Sequence, residues 1–178
     1  MLRRLFFALP AQSLAAELQD CQHRLNSDGH RKPVKLDNFH LTLHFLGLQD
    51  DNLLPKLYQA AEGVHGSPFE VTLDQYGLFR HAQCLWLGPQ HIPAALLNLV
   101  DQLGSALKAL DLPVSADYRP HITLFRHAQG VATVPAPTLN LPVSEFILYE
   151  SNSSEQGVCY TPLQRWPLVE QSLQEKQQ

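Results

Sequence analysis

Two short stretches of this 178-residue chain set an imidazole and a hydroxyl in the same order, His40-Leu41-Thr42-Leu43 and His121-Ile122-Thr123-Leu124. Histidine is the side chain whose ordinary pKa lies near neutrality, so two of them can act as acid and base in one reaction. In-line attack on phosphorus needs that combination, with a base on one side and an acid on the other. Hydroxyls beside the rings can hydrogen-bond the non-bridging oxygens. Chemistry of this kind requires no metal.

The elements that must position these groups follow from alternation, because successive side chains of a strand point to opposite faces. The first stretch predicts Leu41, Leu43 and Phe45 on one face and His40, Thr42 and His44 on the other. In the second, Ile122 and Leu124 oppose His121 and Thr123. Each strand then shows an imidazole and a hydroxyl about 7 Å apart above an apolar face. One such pair is commonplace on a sheet. Two pairs, each with the same apolar backing, point to a site.

Around these strands the pattern predicts a first strand at 3–9 and an amphipathic helix through Leu14, Leu18, Cys21 and Leu25, with Ser13 as its cap. Residues 26–33 form a turn-rich connection. The first motif strand ends at Gly47, and Asp50 or Asp51 caps a helix that tolerates Pro55 in its first turn. Residues 69–88 read as a hairpin, 92–110 as a second long amphipathic helix, 130–142 as a surface loop, and 143–149 with 159–166 as closing strands. Strands and helices intermix without a regular glycine-rich βαβ alternation. That predicts an α+β fold of mainly antiparallel sheets, forming one domain of two similar lobes over 1–178. A cleft between the lobes is where His40 and His121 would meet.

Composition narrows the function. Apolar residues make up 44% and charged residues 17%, an ordinary globular balance. The net charge of −4 argues against coating long nucleic acid, which takes a basic stripe, but not against contact with a single phosphate at a chain end. Cys21, Cys84 and Cys159 are widely spaced and odd in number, which suggests thiols in a reducing compartment and neither a zinc ribbon nor a disulfide framework. The apolar run Leu5 to Leu9 stops at Pro10, short for a signal peptide, and no run approaches membrane-spanning length. The reading is a cytoplasmic protein with no membrane partner.

With these motifs in hand, the sequence resembles the 2H phosphoesterase superfamily, whose two HxTx motifs match 40–43 and 121–124. Asp37-Asn38-Phe39, Phe45-Leu46-Gly47, Arg126 and the stretch Tyr160-Thr161-Pro162-Leu163-Gln164-Arg165-Trp166 look like its bacterial RNA 2′,3′-cyclic phosphodiesterase (2′-5′ RNA ligase) branch. The resemblance runs from Arg4 to about Leu168. It implies a pseudo-twofold pair of lobes with helices packed outside and a central water-filled cleft. It also implies hydrolysis of a terminal 2′,3′-cyclic phosphate on RNA to a 2′-phosphomonoester, with no cofactor, by a protein expected to be a monomer. Carried over, His121 is the proton acceptor that activates water and His40 the proton donor to the departing 3′ oxygen. Thr42 and Thr123 hold the phosphate. The same site run backward would join a 2′,3′-cyclic end to a 5′-hydroxyl through a 2′-5′ linkage.

Other residues leave two readings open. His44 shares the predicted face of His40 and is either a phosphate contact or a solvated strand residue. Arg126, five residues after His121, falls on the wrong face of a regular strand, so the strand bulges or ends there, or the long side chain wraps around the edge. His40 and His44 at i, i+4 mimic a zinc helix motif, but the alternation makes a strand and no glutamate lies between them. His23, His30, His65, His81, His91 and His127 read as exposed, Tyr149 and Trp166 as core aromatics before base-stacking ones, and Arg80, Arg119 and Arg165 as surface. The alternatives to the phosphodiesterase are a binding module for RNA ends or nucleotides that does no chemistry, and a relative cleaving another cyclic or 2′-5′ phosphodiester.

Overall fold

A computed structural model describes residues 1–25 and 32–170. In chain order its elements are β1 (Leu2–Pro10), α1 (Ala15–Leu25), β2 (Lys32–Pro33), β3 (His40–Asp50), α2 (Leu54–Glu62), β4 (Phe69–Leu73), β5 (Gln75–Phe79) and β6 (Cys84–Gly88). Then come α3 (Ala94–Lys108), β7 (Ile122–Arg126), β8 (Leu139–Val143), β9 (Glu145–Ser154) and β10 (Gly157–Pro167). Most of the predicted connection at 26–33, with His30, lies outside the described residues.

The run Leu5 to Leu9 is buried throughout because β1 lies inside a sheet of order β10-β9-β1-β3 and is covered on both faces. Leu5, Phe7 and Leu9 enter the main core, while Phe6 and Ala8 join a small cluster with Ile147 and Tyr149 on the opposite face. A second sheet has the order β2-β7-β6-β5, and β4 pairs with β8 as a separate ribbon. Every pairing is antiparallel. The fold is α+β, with one motif strand in each four-stranded sheet.

Helices lie behind each motif strand. On α3, Leu96, Leu99, Val100, Leu103 and Leu107 form the buried stripe that packs over β3. On α1, Leu18, Cys21, Gln22 and Leu25 do the same against β7. One buried cluster runs through both sheets. Each large apolar side chain taken fully out of water contributes about 1.5–3 kcal/mol, so the sheet–helix sandwich is also what holds the two motif strands in place.

Three expectations are corrected. Residues 69–88 are not one hairpin: β4 pairs with β8, and the partner of β6 is β5. Gly77 permits this second pairing, since a Cβ there would lie 2.1 Å from the Trp86 ring. The segment read as a loop through Pro142 contains β8, whose partner is about 70 residues away and leaves no local trace. Ser13 does not cap a helix. It lies inside a 3-10 turn, Gln12–Leu14, that leads into α1. Asp50 does cap, accepting from the Asn52 N–H at 2.9 Å.

The lobes are also not the two halves of the chain. The sheet that carries His40 is built from β1 and β3 together with β9 and β10, so both ends of the described chain meet in it. The helix behind each motif strand comes from the other side of the sequence midpoint.

Candidate active site

His40 and His121 are held by the same device. Nδ1 of His40 donates to the Asn38 carbonyl at 2.8 Å, and Nδ1 of His121 to the Arg119 carbonyl at 2.7 Å. In each case the acceptor is two residues upstream, where the chain is only entering its strand. An Nδ1–H committed in this way leaves Nε2 as the reactive nitrogen. Nε2 of His40 accepts from the Thr42 hydroxyl at 3.0 Å. Aromatic rings fix both imidazoles laterally: Phe6 and Tyr160 against His40, Phe79 and Trp86 against His121.

The entry segments are anchored in turn. Gln12 Nε2 donates to the Asp37 and Phe39 carbonyls, each at 3.0 Å, and so fixes the chain just before His40. Tyr118 donates its hydroxyl to the Thr42 carbonyl at 3.0 Å, tying the approach to the second motif to the backbone of the first.

Beyond the threonines, both strands depart from regular alternation at the same motif position. In the β1–β3 ladder Phe7 pairs with His44 and Ala8 with Thr42, which leaves Leu43 as an extra residue. In the β6–β7 ladder Leu85 pairs with Phe125 and Trp86 with Thr123, which leaves Leu124 extra. A β-bulge of this type inverts the facing of the residues that directly follow it. The fifth motif residues, His44 and Phe125, therefore turn inward, and the sixth, Phe45 and Arg126, turn toward the cleft.

This corrects the reading of His44. It does not share a face with His40 but is 7% exposed beneath α3, where Nε2 donates to the Val100 carbonyl at 2.8 Å. Gly104 makes room for it, because a Cβ there would lie 3.3 Å from the ring. Phe45, placed on the apolar face by alternation, is 58% exposed on the cleft side. Of the two ways left open for Arg126, the bulge is the one observed.

The result is a cavity of about 480 Å³ lined by His40, Thr42, His121, Thr123 and Arg126 together with the aromatic rings of Phe6, Phe45, Phe79 and Tyr160. Burial pushes the His40 pKa down to about 4, and the charges of His121 and Arg126 push the same way against the Asn38 hydrogen bond. His121 is lowered as well, first by burial and then by Arg126, with the Arg119 carbonyl opposing. The two rings thus compete for protons in one positive field, which an anion would relieve.

Phe45 and Tyr160 are among the cleft residues that alternation missed, with Phe6, Phe79 and Ser151. Tyr160 stood only inside a longer matched stretch, and its hydroxyl accepts from Arg126 Nη2 at 3.3 Å. Tyr149 and Trp166 are core residues, each 7% exposed. The side chains of Arg119 and Arg165 are engaged at the surface by Asp117 and Glu145. Of the other six histidines, all but His30, which is not described, are exposed. Among the described residues no three His, Cys, Asp or Glu side chains gather as metal ligands, and no helix is long and apolar enough to cross a membrane.

Two sheets presenting paired His–Thr motifs to one cleft define a two-histidine phosphoesterase architecture. A family model described as LigT like Phosphoesterase matches residues 9–86. The RNA 2′,3′-cyclic phosphodiesterase of Escherichia coli (strain K12) is 34% identical over 177 residues, covering 94% of this chain and 98% of that one. A crystal structure of a phosphoesterase superposes with a TM-score of 0.89 at 32% identity, covering 96% of this chain and all of the other. E. coli LigT complexed with 3′-AMP superposes at 0.88 with the same identity and coverage. The chain belongs to the LigT-like phosphoesterase family of 2H enzymes.

Proposed function

We propose that this protein is an RNA 2′,3′-cyclic phosphodiesterase that opens a terminal cyclic phosphate to a 2′-phosphomonoester by acid–base catalysis between His121 and His40. The observation that carries this reading is the matched pair of carbonyl clamps, which leave Nε2 as the reactive nitrogen on two rings lining one cavity. Neutral His121 takes a proton from water as the water oxygen bonds to phosphorus. The bond from phosphorus to the 3′ oxygen breaks, and protonated His40 gives its Nε2 proton to that oxygen. Thr42, Thr123 and Arg126 meet the non-bridging oxygens, where charge gathers in the transition state. His44 has no part in this step.

Phe45 and Tyr160 give the terminal nucleoside aromatic surface. Reversal replaces water by a ribose 5′-hydroxyl, exchanges the roles of the two histidines and forms a 2′-5′ linkage. The chain works as one domain, as a monomer, since both motifs already lie on it, and in the cytoplasm.

Phosphorus NMR of a 2′,3′-cyclic nucleotide treated with the protein in excess EDTA tests the proposal. The expected product is the 2′-phosphomonoester. His40→Ala and His121→Ala should each lower the rate by at least roughly a hundredfold, the lower end of general acid or base contributions, with unchanged circular dichroism. Full activity in either variant, or tight binding with no product, would overturn it.

A further inference from the structure

A second groove adjoins the catalytic cavity. It holds about 380 Å³ and is lined by Lys32, Lys35, Asn38, Arg126, Glu155 and Tyr160 among others, so Arg126 and Tyr160 form the wall shared with the cavity. One side is β2 and the turn that follows it, and the other is the tip of the β9–β10 hairpin. Two side chains stitch these together: Lys35 Nζ donates to the Gln156 carbonyl, and Asn38 Nδ2 donates to the Val158 carbonyl at 2.9 Å. The Asn38 carbonyl is also the clamp of His40, so this groove is rigidly registered to the reacting centre.

Its charge is unusual for a chain of net charge −4. Three cations face one carboxylate, Glu155, and neither Lys32, Lys35 nor Arg126 is in an ion pair with a described residue. Lys32 stands directly opposite Arg126 in the β2–β7 ladder. Like charges in that position destabilise a sheet, and a bound anion between them reverses the sign.

We infer that this groove binds the phosphodiester one nucleotide upstream of the cyclic end, so that the protein prefers an RNA terminus to a free cyclic nucleotide. This rests on the proposed activity. A chain whose last phosphate sits between His40 and His121 must carry its 5′ extension out of the cavity, and the exit walled by Arg126 is the one that offers cations. The occupant carries a single negative charge, which the lysines meet as point charges without base readout.

The test compares three substrates: a nucleoside 2′,3′-cyclic phosphate with a free 5′-hydroxyl, the same compound bearing a 5′-methyl phosphate, and a dinucleotide with a cyclic end. The two extended substrates should show a kcat/KM higher by on the order of fivefold, the upper range for an exposed ion pair. The preference should shrink as salt rises, with a log–log slope near −0.7 for one neutralised phosphate. Lys32→Gln with Lys35→Gln should abolish it while leaving turnover of the 5′-hydroxyl compound unchanged. If that double variant loses all turnover, Lys32→Arg with Lys35→Arg decides, since retained charge must retain the preference. A wild-type protein that turns over all three substrates equally, or a preference that survives the glutamine variant or is lost in the arginine one, refutes the groove. Failure of wild type to open any of the three refutes the activity itself.

Discussion

Adding one phosphodiester anion to the cleft should draw about half a proton out of solution at pH 7 and close to one at pH 6. His40 has to be protonated to serve as acid, yet burial and its cationic neighbours hold its pKa at about 4. At pH 7, roughly three units higher, only about one molecule in a thousand carries that proton, and restoring it requires about 4 kcal/mol. A single negative charge about 4 Å from the ring, at an effective dielectric near 20, supplies about 4 kcal/mol. The substrate's own charge is therefore sufficient to arm the acid. Because the field of Arg126 acts on both rings, the proton belongs to the coupled pair until it is assigned.

A 2′-deoxynucleoside 3′-methyl phosphate suits the measurement, being an inert diester with one charge at every relevant pH. Titration calorimetry in two buffers of different ionisation enthalpy gives the proton uptake, and nitrogen-15 shifts of the imidazoles say which ring gains it. Affinity should rise about tenfold for each unit that the pH falls from 7 toward 5, because the complex binds a proton that the free protein does not. The reasoning fails if uptake is near zero with His40 neutral in the complex, or if His40 in the free protein titrates at its ordinary 6.5.

The bulges carry two further expected outcomes. Phe45→Ala should raise KM by roughly tenfold, in the range measured for base–aromatic stacking, with kcat and thermal stability nearly unchanged because the ring is 58% exposed; steady-state kinetics and a melting curve check both. His44 has its pKa lowered chiefly by burial. The unfolded chain therefore takes up the proton first, and stability present above about pH 6.5 is lost as the pH falls toward the folded value. His44→Gln keeps a donor for the Val100 carbonyl and should flatten that acid limb in a denaturant titration, with neutral activity intact.

The placement of the two His–Thr pairs was legible because their order within each motif is local information. Four residues suffice to place His and Thr on one face above two buried aliphatic residues. The facing of the residues beyond Leu43 and Leu124 was not legible, since an extra residue in a ladder is a property of two strands and only one was being read. The same holds for β4, whose partner β8 is remote, and for the lobes, whose sheets exchange strands and helices across the sequence. Arg126 was the useful exception. Its wrong-face position already offered a bulge as one of its readings, and a bulge at the same place in the first motif turns His44 inward and Phe45 outward.

The duplicated bulge also explains how a pseudo-symmetric site can bind its substrate in one direction. Up to the threonines the two strands offer the same groups, and a phosphate there could be approached from either side. After the bulge one strand presents an aromatic ring and the other a guanidinium. On the proposed mechanism a nucleoside packed on Phe45 lies on the His40 strand, which sets its departing oxygen beside the acid, while Arg126 keeps the phosphate oxygens toward His121 and water. The two buried polar side chains of the described core stand behind these bends. His44 donates to Val100 of α3, and Gln22 of α1 donates at 2.9 Å to the carbonyl of Leu124, the extra residue itself. The Leu124 carbonyl also accepts the Val34 N–H at 2.9 Å, so Gln22 is a second donor that ties α1 to the extra residue, and in the proposed reaction the direction of binding depends on the bend these contacts fix.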